Sequence, residues 1–192
     1  MELLKQKILN EGEIYEGNIL KVDCFLNHQI DIPFMREIGK EFHRLYKDCN
    51  INKILTIEAS GIAIGSMVAQ EFECPLVFAK KTKTKNIAGD VYTVPVESFT
   101  HGTTYNVMVS KRFLKKGDRV LIVDDFLAIG NALNGLIKMV KKSGAELVGC
   151  GAVIEKGYQG GGDKLRASGV RVESLAIVES MNHETGEIVF RN

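Results

Sequence analysis

The chain has 192 residues, the length of one ordinary globular domain, and its 45% hydrophobic and 7% aromatic content argues against intrinsic disorder. Its 25 basic and 24 acidic residues give a net charge of +1, which argues against a dedicated nucleic-acid-binding surface. The four scattered cysteines form no CxxC zinc pair, so we expect free thiols. No apolar run approaches the ~20 residues of a membrane span, and the N-terminus is too polar for a secretory signal. We therefore expect a cytoplasmic protein.

The first 50 residues predict two helices with a loop and a short strand between them. Apolar residues near the N-terminus recur at helical spacing. Asp31 is placed to cap the second helix, which has Pro33 in its first turn and ends near Asn50. We expect residues 1–35 to form a small cap near the carboxyl edge of the following sheet. The apolar residues of the first helix are Leu3, Leu4, Ile8 and Leu9.

From residue 53 onward, apolar strands alternate with helical segments. Continuously apolar strands separated by helices are typical of a parallel sheet covered on both faces. We therefore expect one α/β domain over residues 1–192, with a doubly wound, mainly parallel five-stranded sheet. The predicted strands are 53–58, 75–79, 119–123, 147–155 and 171–178.

Two segments depart from this alternation. The polar, basic stretch after residue 79 lies before strand-like sequences at 91–99 and 104–110, which predicts a long, flexible two-stranded excursion from the core. The glycine run 160–162 lacks the Lys-Ser/Thr ending of a phosphate loop, so we expect a hinge-like connection there.

The most informative stretch is 120–133, where an apolar strand leads into two adjacent carboxylates, Asp124 and Asp125, and then into a small-residue loop and a helix. Ligands of open parallel sheets bind at the carboxyl ends of the strands. A helix start offers unpaired N–H groups to a phosphate, and the carboxylates offer acceptors to sugar hydroxyls. The stretch therefore predicts a ribose-phosphate site; the alternative is a solvated strand end with a helix-capping acid.

This stretch resembles the phosphoribosyl-pyrophosphate fingerprint of the type I phosphoribosyltransferases. Over nearly the whole chain, the sequence also resembles the bacterial xanthine phosphoribosyltransferases, in VDCFLNHQID, TIEASGIA, FAKK, VLIVDDFLAIGNA and VIEKGYQ. The resemblance implies the type I fold and transfer of the phosphoribosyl group to N9 of xanthine, with xanthosine 5′-monophosphate and pyrophosphate as products. It also implies a cytoplasmic homodimer that uses magnesium carried by phosphoribosyl pyrophosphate, with no direct protein ligand.

The resemblance assigns roles to the stretch 120–133. Asp124 and Asp125 would hold the ribose 2′- and 3′-hydroxyls, and the loop after them would cradle the 5′-phosphate. Many relatives carry Thr or Ser in this loop, so backbone amides and Asn131 have to supply more of the phosphate contacts here. The loop residues are Ala128, Ile129, Gly130, Asn131 and Ala132.

A second turn, at the end of strand 53–58, and a lysine cluster complete the predicted anion site. Small residues allow the backbone to approach an anion, and the resemblance makes this turn the pyrophosphate loop. By resemblance, the lysine cluster is the start of the flexible catalytic loop, and Ser98, Phe99 and Thr100 belong to the later part of that loop. The cluster consists of Lys80, Lys81, Lys83 and Lys85. Lys81 is our preferred lysine, whose charge would attract pyrophosphate and help to exclude water. A plain turn and a solvated basic loop are the alternatives. The turn consists of Glu58, Ala59, Ser60 and Gly61.

Three residues are candidates for the base pocket. Lys156 follows an apolar strand, so it emerges at the same sheet edge, and its ammonium suits the O6 acceptor of an oxopurine. Asn27 and Leu20 are assigned to the pocket by resemblance, with the Asn27 amide as a donor to the second oxo group of xanthine. Tyr158 is a candidate to stack on the ring.

Other functions are compatible with the same fold. A transferase for adenine, or for hypoxanthine and guanine, is the alternative among enzymes, although the 6-amino group of adenine clashes with a lysine donor. A purine repressor that senses phosphoribosyl pyrophosphate is the alternative from another class. Such repressors add a basic DNA-binding domain, whereas only about 50 residues, not strongly basic, precede the first core strand here.

Overall fold

A mixed, mostly parallel sheet forms the centre of the molecule in the computed structural model, which describes residues 1–17, 19–81, 89–97 and 104–191. The strands of the main sheet are β3 (Lys53–Ile57), β4 (Leu76–Ala79), β7 (Arg119–Leu127), β8 (Glu146–Lys156), β9 (Val172–Asn182) and β10 (Glu187–Phe190). They lie in the order β10-β9-β8-β7-β3-β4. Two separate strand pairs are antiparallel, Glu13–Tyr15 with Ile19–Lys21 and Val91–Glu97 with Thr104–Ser110.

The five predicted strands are confirmed, and they pair parallel with one another. The prediction of five strands missed the sixth, β10, which pairs antiparallel with β9 after a turn that contains Gly186. This strand has only four residues and alternates between exposed and half-buried positions, so it lacks the apolar run that marks the others.

Helices cover both faces of the sheet. One buried cluster joins Ile8, Phe42 and Val68 of the first three helices to Val123 of β7. The other cluster joins α4 (Asn131–Ser143) to the opposite face of the sheet, including Ile122 of β7. This alternation of neighbouring residues between two cores is what makes β7 continuously apolar. The helices are α1 (Glu2–Glu11), α2 (Ile32–Tyr46), α3 (Gly61–Glu71), α4 (Asn131–Ser143) and α5 (Gly161–Ala167).

The predicted two-stranded excursion is an antiparallel pair, β5 (Val91–Glu97) and β6 (Thr104–Ser110). Instead of leaving the core, the pair packs on it, because its buried valines belong to the same cluster as α4. Gly135 of α4 permits the approach, since a Cβ there would lie 2.4 Å from Val96 Cγ2. Residues 82–88 and 98–103 lie outside the described residues, and with them Lys83, Lys85 and the predicted later part of the catalytic loop, Ser98, Phe99 and Thr100.

The N-terminal segment folds largely as predicted. Leu4 and Ile8 of α1 are buried, whereas Leu3 and Leu9 are exposed. A short hairpin of β1 (Glu13–Tyr15) and β2 (Ile19–Lys21) and a π-helical turn (Asp23–Asn27) follow. The Asp31 carboxylate accepts a hydrogen bond from the Phe34 N–H at 3.1 Å, so the predicted N-cap of α2 is confirmed.

Two predicted boundaries near the sheet edge are wrong. Strand β7 continues to Leu127, so Asp124 and Asp125 lie within the strand rather than in the loop after it. The glycine run 160–162 opens helix α5 instead of forming a hinge-like connection, and the Lys164 N–H donates to the Gly160 carbonyl. None of the described helices combines the length and apolar character that crossing a bilayer requires.

Candidate active site

The acidic pair lies at the carboxyl end of β7, in the middle of the sheet. Asp124 is only 4% exposed, and Asp125 is half-buried. The Asp125 N–H donates to Asp124 Oδ1 at 3.0 Å. Burial, and then the charge of Asp125, raise the pKa of Asp124 well above its usual range. The pair therefore offers two unequal acceptors, one enclosed and prone to hold a proton and one open to a ligand.

The turn after β7 has the form expected of a phosphate site. Gly130 has φ +92°, a conformation that favours glycine, and immediately precedes the 13-residue helix α4. The Asn131 side chain donates a hydrogen bond to the Glu97 carbonyl of β5 at 3.3 Å, so its amide already has a partner in this structure. The backbone N–H groups of the first turn of α4 are the remaining donors for an anion.

Helix α5 supports this turn from behind. A Cβ on Gly161 would lie 2.1 Å from the Ala128 carbonyl oxygen, so only glycine allows the helix to lie so close to the turn. Next to it, a Cβ on Gly162 would lie 2.1 Å from Glu155 Oε1. Glu155 is fully buried and accepts hydrogen bonds from Arg166 of α5 at 2.6 and 3.1 Å. Glu155, the residue before Lys156, is thereby fixed to the same helix that packs against the turn after β7.

The second turn, 58–61, lies beside the acidic pair. It follows β3, the neighbour of β7 in the sheet, and its Glu58–Ala59 peptide bond is cis. A Cβ on Gly61 would lie 2.0 Å from Thr56 Oγ1 and 3.3 Å from Asp124 Oδ1, so this position requires glycine. The Thr56 hydroxyl donates to the Val123 carbonyl at 2.7 Å and joins the two strands directly below the site.

Lys81 lies against this turn. Its N–H donates to Glu58 Oε1 at 2.6 Å, and its ammonium lies 5.5 Å from the centroid of the Tyr105 ring on β6. The Lys81 charge acts to lower the pKa of Asp124, although burial and Asp125 outweigh it. The hydrogen bond to Glu58 therefore places the predicted lysine against the turn that lies beside the acidic pair.

The candidate base-binding residues approach from two directions. Asn27 is exposed at the end of the π-helical turn, and its Nδ2 donates to Asp125 Oδ2 at 3.1 Å. Lys156 ends β8, and its ammonium lies 5.8 Å from the centroid of the Phe126 ring. Burial lowers the pKa of Lys156. Leu20 is only 5% exposed and belongs to the hydrophobic core, so at most an edge of its side chain is available to a ligand.

The structure thus brings Asp124, Asp125, Gly61, Lys81 and Asn27 to one edge of the sheet. Sequence reasoning missed three groups of this region: Thr56, Phe126 and Tyr105. Thr56 is a polar residue within an apolar strand, which was an available signal. Tyr105 gave no signal, because an aromatic residue in a strand usually indicates packing alone.

The acidic groups of the site do not form a metal cage by themselves. In the described parts of the chain, no group of three or more His, Cys, Asp or Glu side chains is arranged to hold a metal ion. The two adjacent carboxylates, one of them half-buried, would instead lie beside a magnesium ion whose oxygen ligands the substrate supplies.

Comparison with known proteins agrees with this geometry. Residues 28–180 match the family described as Phosphoribosyl transferase domain. Xanthine phosphoribosyltransferase of Lachnoclostridium phytofermentans is 59% identical over 100% of this chain and 98% of its own length. Xanthine phosphoribosyltransferase 1 of Clostridium perfringens is 56% identical over 100% of both chains.

Solved structures show the same fold. Adenine phosphoribosyltransferase of Rhodothermus marinus superposes with a TM-score of 0.75 over 93% of this chain and 100% of its own, at 21% identity. The enzyme of Giardia lamblia, complexed with 9-deazaadenine, gives a TM-score of 0.69 over 78% and 82% of the two chains, at 26% identity. The chain therefore belongs to the phosphoribosyltransferase family, in the group of the bacterial xanthine phosphoribosyltransferases.

Proposed function

We propose that this chain transfers the 5-phosphoribosyl group of phosphoribosyl pyrophosphate to N9 of xanthine, giving xanthosine 5′-monophosphate and pyrophosphate. The observation that carries the proposal is the convergence of Asp124 and Asp125, the turn at Gly130 and Lys81 at one edge of the parallel sheet. Relatives that match the whole chain at 59% and 56% identity are named for this activity, and they supply the choice of xanthine.

In the proposed mechanism, xanthine, a comparatively acidic purine, reacts as its anion after losing a proton to water. The bond from C1 of ribose to a pyrophosphate oxygen then breaks as the bond from C1 to N9 forms. Positive charge grows on the ribose ring, and Asp125 is placed to stabilise it while accepting from a ribose hydroxyl. Asp124, with its raised pKa, would accept from or donate to the other hydroxyl according to its protonation state. Most of the rate enhancement would come from positioning and charge complementarity.

The leaving pyrophosphate would lie between the turn 58–61 and Lys81. Backbone N–H groups of the turn and the Lys81 ammonium would bind its oxygens. The Glu58 carboxylate, itself an anion, takes no part in that binding, because it accepts from the Lys81 N–H. Magnesium, held by pyrophosphate and ribose oxygens with the acidic pair beside it, would neutralise the leaving group.

Lys156 and Asn27 would select the base. The Lys156 ammonium would donate to O6, and Phe126 beneath it would offer an apolar surface to the ring. The Asn27 amide would donate to the second oxo group, and its contact with Asp125 would align base and ribose. Leu20 would close the pocket with the exposed edge of its side chain. Residues 1–35 would then act as the base-binding cap of one domain.

The site of action and the assembly belong to the same proposal. Four free cysteines fit a reducing compartment such as the cytoplasm. We expect a homodimer, with the second copy on the face where Phe78 and Phe113 are exposed beside a cleft of about 630 Å³. Light scattering after size-exclusion chromatography of the wild type and of Phe113→Glu tests the dimer and its face.

One assay tests the function. The protein is incubated with phosphoribosyl pyrophosphate, magnesium and one base at a time, using xanthine, hypoxanthine, guanine and adenine, and the nucleotide formed is identified by mass. Xanthosine 5′-monophosphate should form fastest. Preferred formation of an adenine nucleotide would contradict the base assignment, and the absence of every nucleotide would contradict the enzymatic proposal.

A further inference from the structure

We propose that Tyr105 and Glu58 are positioning residues for Lys81: Glu58 holds its backbone and Tyr105 holds its ammonium. The inference rests on the proposed function, because it concerns a lysine that we place at the leaving pyrophosphate. It adds a strand outside the predicted motifs, β6, to the machinery of the site.

Glu58 fixes the backbone of the segment that leads to Lys81 at two points. The Glu58 N–H donates to the Ala79 carbonyl at 3.0 Å, and the Glu58 carboxylate accepts from the Lys81 N–H at 2.6 Å. Hydrogen bonds to an ionised acceptor are stronger than neutral ones. Ala79 and Lys81 are therefore held to one residue of the pyrophosphate turn, so the path of the chain is set before a ligand binds.

Tyr105 lies below the ammonium of Lys81. The Nζ atom is 5.5 Å from the ring centroid, within the range of cation–π attraction. Tyr105 pairs with Val96 in the β5-β6 ladder and packs against the buried cluster on that face of the sheet, so its ring has a fixed support. Burial, and then the charge of Asp124, raise the pKa of Tyr105.

These two contacts matter because lysine is flexible. An exposed Lys side chain has four rotatable bonds and loses substantial entropy when it is held on an anion. A ring that already holds the ammonium reduces this loss at the moment of binding. The Tyr105 ring, an apolar support with no fixed negative charge, holds the cation without neutralising it, whereas a carboxylate at this position would compete with pyrophosphate.

The first test distinguishes the contribution of the Tyr105 ring from that of its hydroxyl. Tyr105→Phe keeps the aromatic face and should behave as the wild type. Tyr105→Leu should raise KM for phosphoribosyl pyrophosphate by about two- to fivefold, the range of an exposed cation–π contact, and leave KM for xanthine unchanged. Tyr92→Leu is the matched control, because Tyr92 supports Lys111 at 5.7 Å in the same hairpin. Equal effects of Tyr105→Leu and Tyr92→Leu would overturn the inference.

Glu58 is tested in the same assay. Glu58→Gln keeps an acceptor for the Lys81 N–H, so it should recover most of the affinity for phosphoribosyl pyrophosphate that Glu58→Ala loses. If Glu58→Gln were as impaired as Glu58→Ala, the carboxylate would have a role other than accepting this hydrogen bond, and the inference would be wrong for Glu58.

A readout without catalysis keeps this inference distinct from the proposed function. Lysines are reductively methylated with ¹³C-formaldehyde, and the ring current of Tyr105 should displace the Lys81 resonance in the NMR spectrum of the wild type and Tyr105→Phe. The displacement should disappear in Tyr105→Leu, and the resonance itself in Lys81→Arg. An undisplaced Lys81 resonance in the wild type overturns the inference even if the enzyme is active, whereas inactivity with every base overturns the proposed function instead.

Discussion

Asn27 donates a hydrogen bond from Nδ2 to Oδ2 of Asp125 at 3.1 Å, across 98 positions of the sequence. The contact joins the N-terminal segment to the acidic pair in the middle of the sheet. In the proposed site, the amide that recognises the base therefore touches the carboxylate that holds the ribose. Substitution of Asn27 or of Asp125 should therefore alter the binding of both substrates, though unequally.

Asn27→Ala removes one donor to the base and one donor to Asp125. We expect KM for xanthine to rise about tenfold, since an oxo group of the bound base that is enclosed without its hydrogen bond costs roughly 1–3 kcal/mol. KM for phosphoribosyl pyrophosphate should change less, because Asp125 would keep the ribose contact that we propose for it. Gln6→Ala is a suitable control, because Gln6 is an exposed residue of α1 that donates to exposed Glu2. An intact variant with wild-type KM for xanthine would remove Asn27 from the base pocket.

Asp125→Asn should reduce kcat by about 10²–10³-fold, the range for the loss of one electrostatic contact to a transition state. The variant should keep its thermal stability, because Asp125 is half-buried and the amide retains an acceptor for Asn27. Asp90→Asn, which alters an exposed ion pair with Lys111, serves as the control. Near-normal turnover of Asp125→Asn, measured by nucleotide formation, would reject the ribose-site assignment.

Asp124→Asn should make the unliganded protein more stable at neutral pH. The folded-state pKa of Asp124 is raised, so its contribution to stability is fully present below the unfolded pKa and is lost as the pH rises through the folded pKa. The amide of Asp124→Asn cannot ionise, so the variant does not lose this stability as the pH rises. Melting temperatures should therefore differ most at pH 8 and converge as the pH falls toward 4. If the plots of melting temperature against pH ran parallel for the wild type and Asp124→Asn, Asp124 would not be the group that titrates.

Lys156→Gln should raise KM for xanthine far more than KM for phosphoribosyl pyrophosphate. Burial lowers the pKa of Lys156, so its ammonium is lost at a lower pH than that of an exposed lysine. The advantage of the wild type over Lys156→Gln should therefore shrink as the pH rises. Lys164→Gln, on the exposed side of α5, should change neither constant. An equal rise of KM for xanthine and for phosphoribosyl pyrophosphate in Lys156→Gln would contradict a role in base recognition.

Gly161→Ala should separate α5 from the phosphate turn. The added Cβ would lie 2.1 Å from the Ala128 carbonyl oxygen, so either the helix or the turn has to move. We expect a lower melting temperature and a higher KM for phosphoribosyl pyrophosphate, with KM for xanthine affected less. Lys164→Ala is the control for changes elsewhere in the helix. An unchanged KM for phosphoribosyl pyrophosphate would show that the turn does not depend on this contact.

The sequence predicted the central features of the fold because their signals are local. Five apolar strands, the Asp31 cap and the glycine before α4 are each specified by neighbouring residues, and all are observed. The acidic pair was placed at the correct strand end but in a loop, because two charges usually mark the end of a strand. Pairing with β8 on one side keeps β7 extended through these residues.

What the sequence could not show depends on contacts between distant segments. The hydrogen bond from Asn27 to Asp125 and the contact of Lys81 with Tyr105 join residues that no periodicity connects. The run at 160–162 was expected to be a hinge-like connection because it lacks the Lys-Ser/Thr ending of a phosphate loop, and three glycines also have low helix propensity. Close packing of Gly161 and Gly162 against Ala128 and Glu155 requires the smallest residue and overrides that propensity.

The Thr56 hydroxyl donates a hydrogen bond to the Val123 carbonyl, 67 positions away in the sequence. The turn 58–61 and the acidic pair, which together form the proposed anion and ribose site, follow directly after these two residues. A partly folded chain in which β3 and β7 have not yet met has no intact place for phosphoribosyl pyrophosphate. The substrate therefore discriminates strongly between native and incomplete states, and millimolar amounts added during refolding should raise the yield of native protein by mass action.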